Sequence, residues 1–211
     1  MANLFVKQKI ELSLIDSRDL IKDDIGCFKF LVIGVQFTKE EELYCYMISC
    51  MTEDRKGISV VVNKNTWSED YKRIKSGTIV RVYGHVDDHD HVLYTDERIE
   101  ILITGYDLMI GEMPHRNKSK GIMIGGTIVE EYHNCLMSCI LCKSSTNELF
   151  YLQSCQLHFN SKQIAKMKTL KLGMEIIAGP AKFTRFPESH LRRITTVELA
   201  CFSLITVISP A

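Results

Sequence analysis

Four groups of residues in this 211-residue chain carry side chains able to do chemistry. His85, His89 and His91, interleaved with Asp87, Asp88 and Asp90, have the donor types of a metal site. No matched partner cluster occurs elsewhere, and the run reads equally as a polar hairpin loop, so no metal is expected. Cys135, Cys139 and Cys142, with Cys155 beyond them, raise the question of zinc. A strand alternates its faces at every residue, so Cys139 and Cys142 would point to opposite sides, and no second Cys-x-x-Cys pair follows. Glu130 and Glu131 are adjacent acids that a solvated strand end explains. The fourth group is the segment AKFTRFPESHLRR, residues 181–193. Lys182, Arg185, Arg192 and Arg193 suit phosphates, Phe183 and Phe186 offer rings on which bases stack, and His190 lies among them.

A catalytic reading finds nothing to build on. There is no glycine-rich phosphate loop, nucleophile elbow or helical His-x-x-x-His pair. The chain is therefore expected to be a binding protein, not an enzyme, and to need no cofactor. No apolar run approaches the roughly 18–20 residues of a membrane span, so no membrane partner is expected. The N-terminal residues lack the pattern of a secretory signal, so the chain is expected inside the cell. In reducing surroundings its eight cysteines read as small buried hydrophobes.

Periodicity predicts the elements that must position these groups. Segments 30–37, 43–51, 57–63, 78–86 and 98–106 are rich in β-branched and aromatic residues and bounded by Gly, Asp, Glu and Lys clusters. A short helix is expected between the third and fourth, with Ser68 as its cap and Gly77 at its end. The order β-β-β-α-β-β then recurs in strands 122–130, 135–142 and 149–159, helix 161–173, and strands 174–183 and 192–205. Residues 30–50 align without a gap on 122–142, placing Gly34 on Gly126 and Cys50 on Cys142. Gly77 then matches Gly173, and Gly84 matches Gly179.

Five strands with a helix between the third and fourth resemble the OB-fold, a small Greek-key barrel. The predicted class is all-β with short helices, in two tandem five-stranded OB-fold barrels. The expected divisions are an N-terminal extension over 1–29, an acidic barrel over 30–112, a linker over 113–121 and a basic barrel over 122–208. Within the first unit, Val80, Val82, Gly84 and Val86 are similar to the fourth strand of the middle subunit of replication protein A and its telomere-capping relatives. That resemblance implies single-stranded DNA binding, or assembly with other OB-fold subunits at DNA ends, in the nucleus.

The formal net charge of zero hides an asymmetry. Residues 1–112 hold 14 Lys and Arg against 20 Asp and Glu, a net of −6, whereas residues 113–211 hold 12 against 6, a net of +6. The basic half is the one a phosphate backbone would approach. There segment 181–193 lies in the position of the long loop with which OB-folds clamp single strands, although its phenylalanines equally suit a barrel cap. Lys143, Phe150 and Tyr151 add to this site, and of the adjacent aromatic pair one must face the core. Lys162, Lys166, Lys168 and Lys171 form a basic helix face that solvation alone explains. The acidic barrel offers Tyr44, Tyr46 and Trp67 as a secondary nucleic-acid site, but its loops are crowded with carboxylates, which suits assembly with other subunits of a complex. DNA is the expected partner, with RNA and a purely protein-binding role left open.

Overall fold

A computed structural model describes residues 26–40, 43–52, 57–63, 68–87, 92–95, 98–105, 108, 110, 121–133, 138–155, 161–184 and 194–211, with backbone alone at 38–40, 43–44, 87 and 133. Two barrels are present. The first comprises β1 (Gly26–Glu40), β2 (Leu43–Met51), β3 (Gly57–Asn63), β4 (Ile79–Asp87), β5 (Val92–Thr95) and β6 (Ile99–Ile103). Its strands run in the order β1-β2-β3-β5-β4, the pairing of β1 with β4 closes it, and β6 continues along β4. The second comprises β7 (Ile122–His133), β8 (Cys139–Lys143), β9 (Leu149–Gln153), helix α1 (Ser161–Lys168), β10 (Glu175–Thr184) and β11 (Thr195–Ser209). It closes in the order β10-β11-β9-β8-β7. The third and fifth strands of each barrel pair in parallel, β3 with β5 and β9 with β11, and the other pairings are antiparallel. This is the OB-fold, twice over. No helix among the described residues is long and apolar enough to cross a membrane.

Several elements differ from their expected form. The segment after β3 is a 3-10 helix, Glu69–Arg73, and Ser68 does cap it, its hydroxyl accepting from the Asp70 N–H at 3.3 Å. Gly77 and Gly173 both end their turns with positive φ, 81° and 84°. The fifth strand of the first barrel is broken into β5 and β6, so VLYT, expected to be loop, is the part that pairs with β3. Helix α1 ends at Lys168, five residues before the expected end.

The gapless alignment of the two units is wrong by four residues in the first strand. Val32 pairs with Cys50 in one barrel and Ile128 pairs with Cys142 in the other. Val32 accepts from the Gly77 N–H as Ile128 accepts from the Gly173 N–H. Val32 is thus the counterpart of Ile128, Phe30 that of Gly126, and Gly34 that of Glu130. The first hairpin of the second barrel is shorter by those four residues. The corrected register also explains the two cores. Phe30 lies in the core of the first barrel, whereas Gly126 leaves a space that Phe150 fills, its ring 3.0 Å from where a Gly126 Cβ would stand.

The barrels share a third core. Leu31, Ile33 and Ile79 of the first bury against Met123 and Ile177 of the second, with Met51 and Ile208 packed alongside. Each fully buried aliphatic side chain contributes about 1.5–3 kcal/mol relative to exposure. Buried hydroxyls fix the geometry of this joint. The Ser49 hydroxyl donates to the Gly179 carbonyl at 2.9 Å and accepts from the Leu204 N–H at 3.1 Å. The Ser59 hydroxyl donates to the Phe202 carbonyl at 3.1 Å, and the Gly57 N–H donates to the Gly121 carbonyl at 2.6 Å. Because Ile48, Cys50, Val60 and Val62 face the first core, alternation turns Ser49, Ser59 and Gly57 outward. The outer face of β2 and β3, where OB-folds commonly take ligands, is therefore covered by β10 and β11.

Candidate nucleic-acid interface

Strand alternation sorts the predicted residues of the basic barrel into two sets. Ala181, Val197, Leu152 and Cys142 lie in the core, which turns their neighbours Lys182, Glu198, Tyr151 and Lys143 to the outer wall. Register lines these up across strands. Lys182 opposes Glu198, which opposes Gln153, and Leu141 opposes Tyr151, which opposes Thr196. Lys143, Tyr151 and Lys182 thus all point out of the closed barrel, from β8, β9 and β10 respectively.

Phe150 does not join them. It is 1% exposed and belongs to the core, because the space at Gly126 draws its ring inward. The prediction of Phe150 as a stacking residue is corrected, and Tyr151 is the outward member of the pair. Phe183 also packs against the core while keeping part of its surface, as in the capping alternative. Arg185, Phe186, His190, Arg192 and Arg193 lie outside the described residues, as does Trp67. The strand ends that flank them in sequence are described: Thr184 opposes Thr196, which also opposes Tyr151.

Electrostatics on this wall are mixed. The Lys182 ammonium lies 3.4 Å from the Glu198 carboxylate, which is nearly buried. Glu198 and the buried Gln153 were not singled out from sequence, because a lone polar residue in a strand signals only an outward face. The four helix-segment lysines divide. Lys168 lies 5.5 Å over the Tyr132 ring and Lys171 lies 3.4 Å from Glu131, while Lys162 and Lys166 line a cleft between the barrels.

In the acidic barrel, Tyr46 packs against the core with its ring 4.9 Å from that of Phe37, a barrel-end role. Only the backbone of Tyr44 is described, opposite Lys39. Glu100 is bracketed by Arg81 at 2.8 Å and Arg98 at 2.5 Å. The Glu100 hydrogen bond holds the Arg81 guanidinium above its ordinary range.

Cys27, Cys50, Cys139, Cys142 and Cys155 are buried, and Cys45 and Cys201 are half-buried. Cys142 faces the core and Cys139 the outer wall, opposite Gln153, as alternation requires. Burial pushes the thiols of Cys50 and Cys142 well above their ordinary range and that of Cys139 up to about 11. Neutral thiols are poor metal ligands and nucleophiles. Among the described residues no three His, Cys, Asp or Glu side chains are grouped to hold a metal. His85 is exposed, and 88–91 lie outside the described residues.

No family model matches the sequence, and no curated protein matches it. Several solved structures match over most of this chain. A tetrameric p202 HIN2 structure is 10% identical with a TM-score of 0.47, over 87% of this chain and 93% of that one. A replication protein A heterotrimer bound to ssDNA is 8% identical with a TM-score of 0.45, over 89% of this chain and 49% of that one. The single-stranded DNA binding protein from Thermus aquaticus is 10% identical with a TM-score of 0.29, over 89% of this chain and 84% of that one. The OB assignment here rests on the chain's own strand order and its parallel third and fifth strands.

Proposed function

We propose that this chain binds single-stranded DNA through its basic second barrel and serves as a subunit of a complex with other OB-fold chains. Its place would be in the nucleus, at single strands exposed during replication, repair or at chromosome ends. The observation that supports the reading is that Lys143, Tyr151 and Lys182 all point out of the second barrel, with Tyr151 and Lys182 next to Thr184 and Thr196, which flank the Arg- and Phe-bearing sequence 185–193. Cations along a wall track phosphates, and rings take bases with little regard to sequence. Two further observations support the division of labour: the basic half carries a net of +6, and the β2–β3 face of the acidic barrel is occupied by its neighbour.

The test is a titration of a labelled oligonucleotide against wild type and an Arg192→Ala/Arg193→Ala variant over a range of salt. Each single-strand phosphate left without its cation flattens the salt slope by about 0.7, so the double variant should lower the slope by about 1.4. Equal slopes for both proteins would remove the segment from the interface. Competition by RNA of the same sequence decides which nucleic acid is preferred.

A further inference from the structure

A cleft of about 860 Å³ separates the barrels. One wall is Gly34–Gln36 of β1, Met47 of β2 and Ile74–Ser76, and the other is α1 with Cys201–Val207 of β11. Its floor is apolar, with Met47, Ile74, Leu204 and Ile205 all buried. Phe202 is half-buried in it. Among the described residues three lysines line it, Lys75 from the first barrel and Lys162 and Lys166 from α1, and no Asp or Glu does; the Lys162 ammonium itself is buried. Lys75 and Lys166 are exposed and make no ion pair among the described residues.

The walls are held rigidly. Gln163 is buried, and its Nε2 donates to the carbonyls of Ala200 at 2.8 Å and Ser203 at 3.1 Å while its Oε1 accepts from the Cys155 N–H at 2.8 Å. This pins α1 to β11 and sets where Lys162 and Lys166 stand. The Ser59 hydroxyl donates to the Phe202 carbonyl, tying β11 to β3 of the first barrel.

We propose that this cleft is a second nucleotide subsite for the same single strand, with phosphate held between Lys75 and Lys166 and a base against Phe202. The proposal rests on the single-strand reading above. Apolar floor, aromatic ring and unopposed cations on both walls match a unit that is flat and apolar at one end and anionic at the other. The volume lies within the roughly 300–1,000 Å³ of ligand pockets, which favour domain interfaces. A strand is favoured over a free nucleotide because β11 runs from the outer wall, at Thr196 beside Tyr151, into the cleft wall at Cys201–Val207. At about 3.3 Å per residue, Thr196 to Phe202 spans about 20 Å, within reach of one oligonucleotide.

The experiment compares the full chain with Lys75→Ala/Lys166→Ala, using an oligothymidylate probe. Removing the cations from two phosphates should flatten the salt slope by about 1.4 and weaken binding about 25-fold at 0.1 M salt. Lys75→Arg/Lys166→Arg should bind as wild type does, and thermal unfolding of both variants should be unchanged, since these side chains are exposed. Binding of Lys75→Ala/Lys166→Ala within twofold of wild type, while Arg192→Ala/Arg193→Ala is weakened, would overturn the cleft and leave the outer-wall reading standing. A wild-type chain that fails to bind the probe would overturn both. Thymidine monophosphate that binds wild type but not Lys75→Ala/Lys166→Ala, with oligonucleotide affinity equal in the two proteins, would overturn the strand assignment in favour of a free nucleotide.

Discussion

Replacing Ser49 with Ala should weaken the whole molecule, although Ser49 touches no core of its own barrel. Its side chain has no exposure, and its hydroxyl serves two groups of the other barrel, the Gly179 carbonyl and the Leu204 N–H. Ala removes the hydroxyl from both in a site with no solvent exposure. A buried polar group so orphaned costs about 1–3 kcal/mol, so the variant should lose roughly 2–6 kcal/mol. For a chain of this size each kcal/mol moves the melting point by about 2–4 °C, so a fall of at least about 4 °C is expected. Ser59→Ala is the internal standard, since it orphans only the Phe202 carbonyl and should cost about half as much. Urea unfolding followed by circular dichroism reads both. A loss for Ser49→Ala below about 0.5 kcal/mol, the range of ordinary surface changes, would refute the joint as described.

Other outcomes follow from the same geometry. Phe150→Ala should cost about 3–5 kcal/mol by emptying the core, whereas Tyr151→Ala should leave unfolding nearly unchanged and weaken oligonucleotide binding by about 1–3 kcal/mol. Denaturation and anisotropy titrations separate them, and the opposite assignment of losses would reverse the strand faces. Gly57→Ala would set a Cβ 2.5 Å from the Met123 sulfur and 2.9 Å from the Pro180 Cα, and since backbone cannot yield cheaply it should lose about 1–3 kcal/mol of stability in urea. Stability should also fall as pH rises above 9. There the unfolded Cys139 thiol ionises while the buried one keeps its proton to about 11, so the unfolded state is the one favoured. Urea midpoints at pH 7 and 9.5 should show a smaller fall for Cys139→Ala than for wild type, and an equal fall would contradict the burial.

The repeated barrel was legible because β-branched alternation is strong in this chain: β2 and β3 span the expected residues. What misled was local coincidence. Matching Gly34 to Gly126 hid a hairpin shorter by four residues, and with it the exchange of Phe30 for Gly126 that turns Phe150 inward. A four-residue strand among Asp and His, VLYT, carries too little period to stand out from loop. The joint was illegible for a physical reason, since Ser49 and Ser59 at alternate strand positions look the same whether they face water or another barrel. The helix lysines showed their number but not their division, which depends on Tyr132, Glu131 and the neighbouring barrel.

The most direct test of the account is fluorescence anisotropy of a labelled single-stranded oligothymidylate titrated with the full chain from low to moderate salt. The account predicts saturable binding with a dissociation constant of about micromolar or tighter at low salt, and a log–log salt slope of several times 0.7, one increment for each phosphate engaged. An anisotropy that does not change at low salt, or an affinity indifferent to salt, would contradict it.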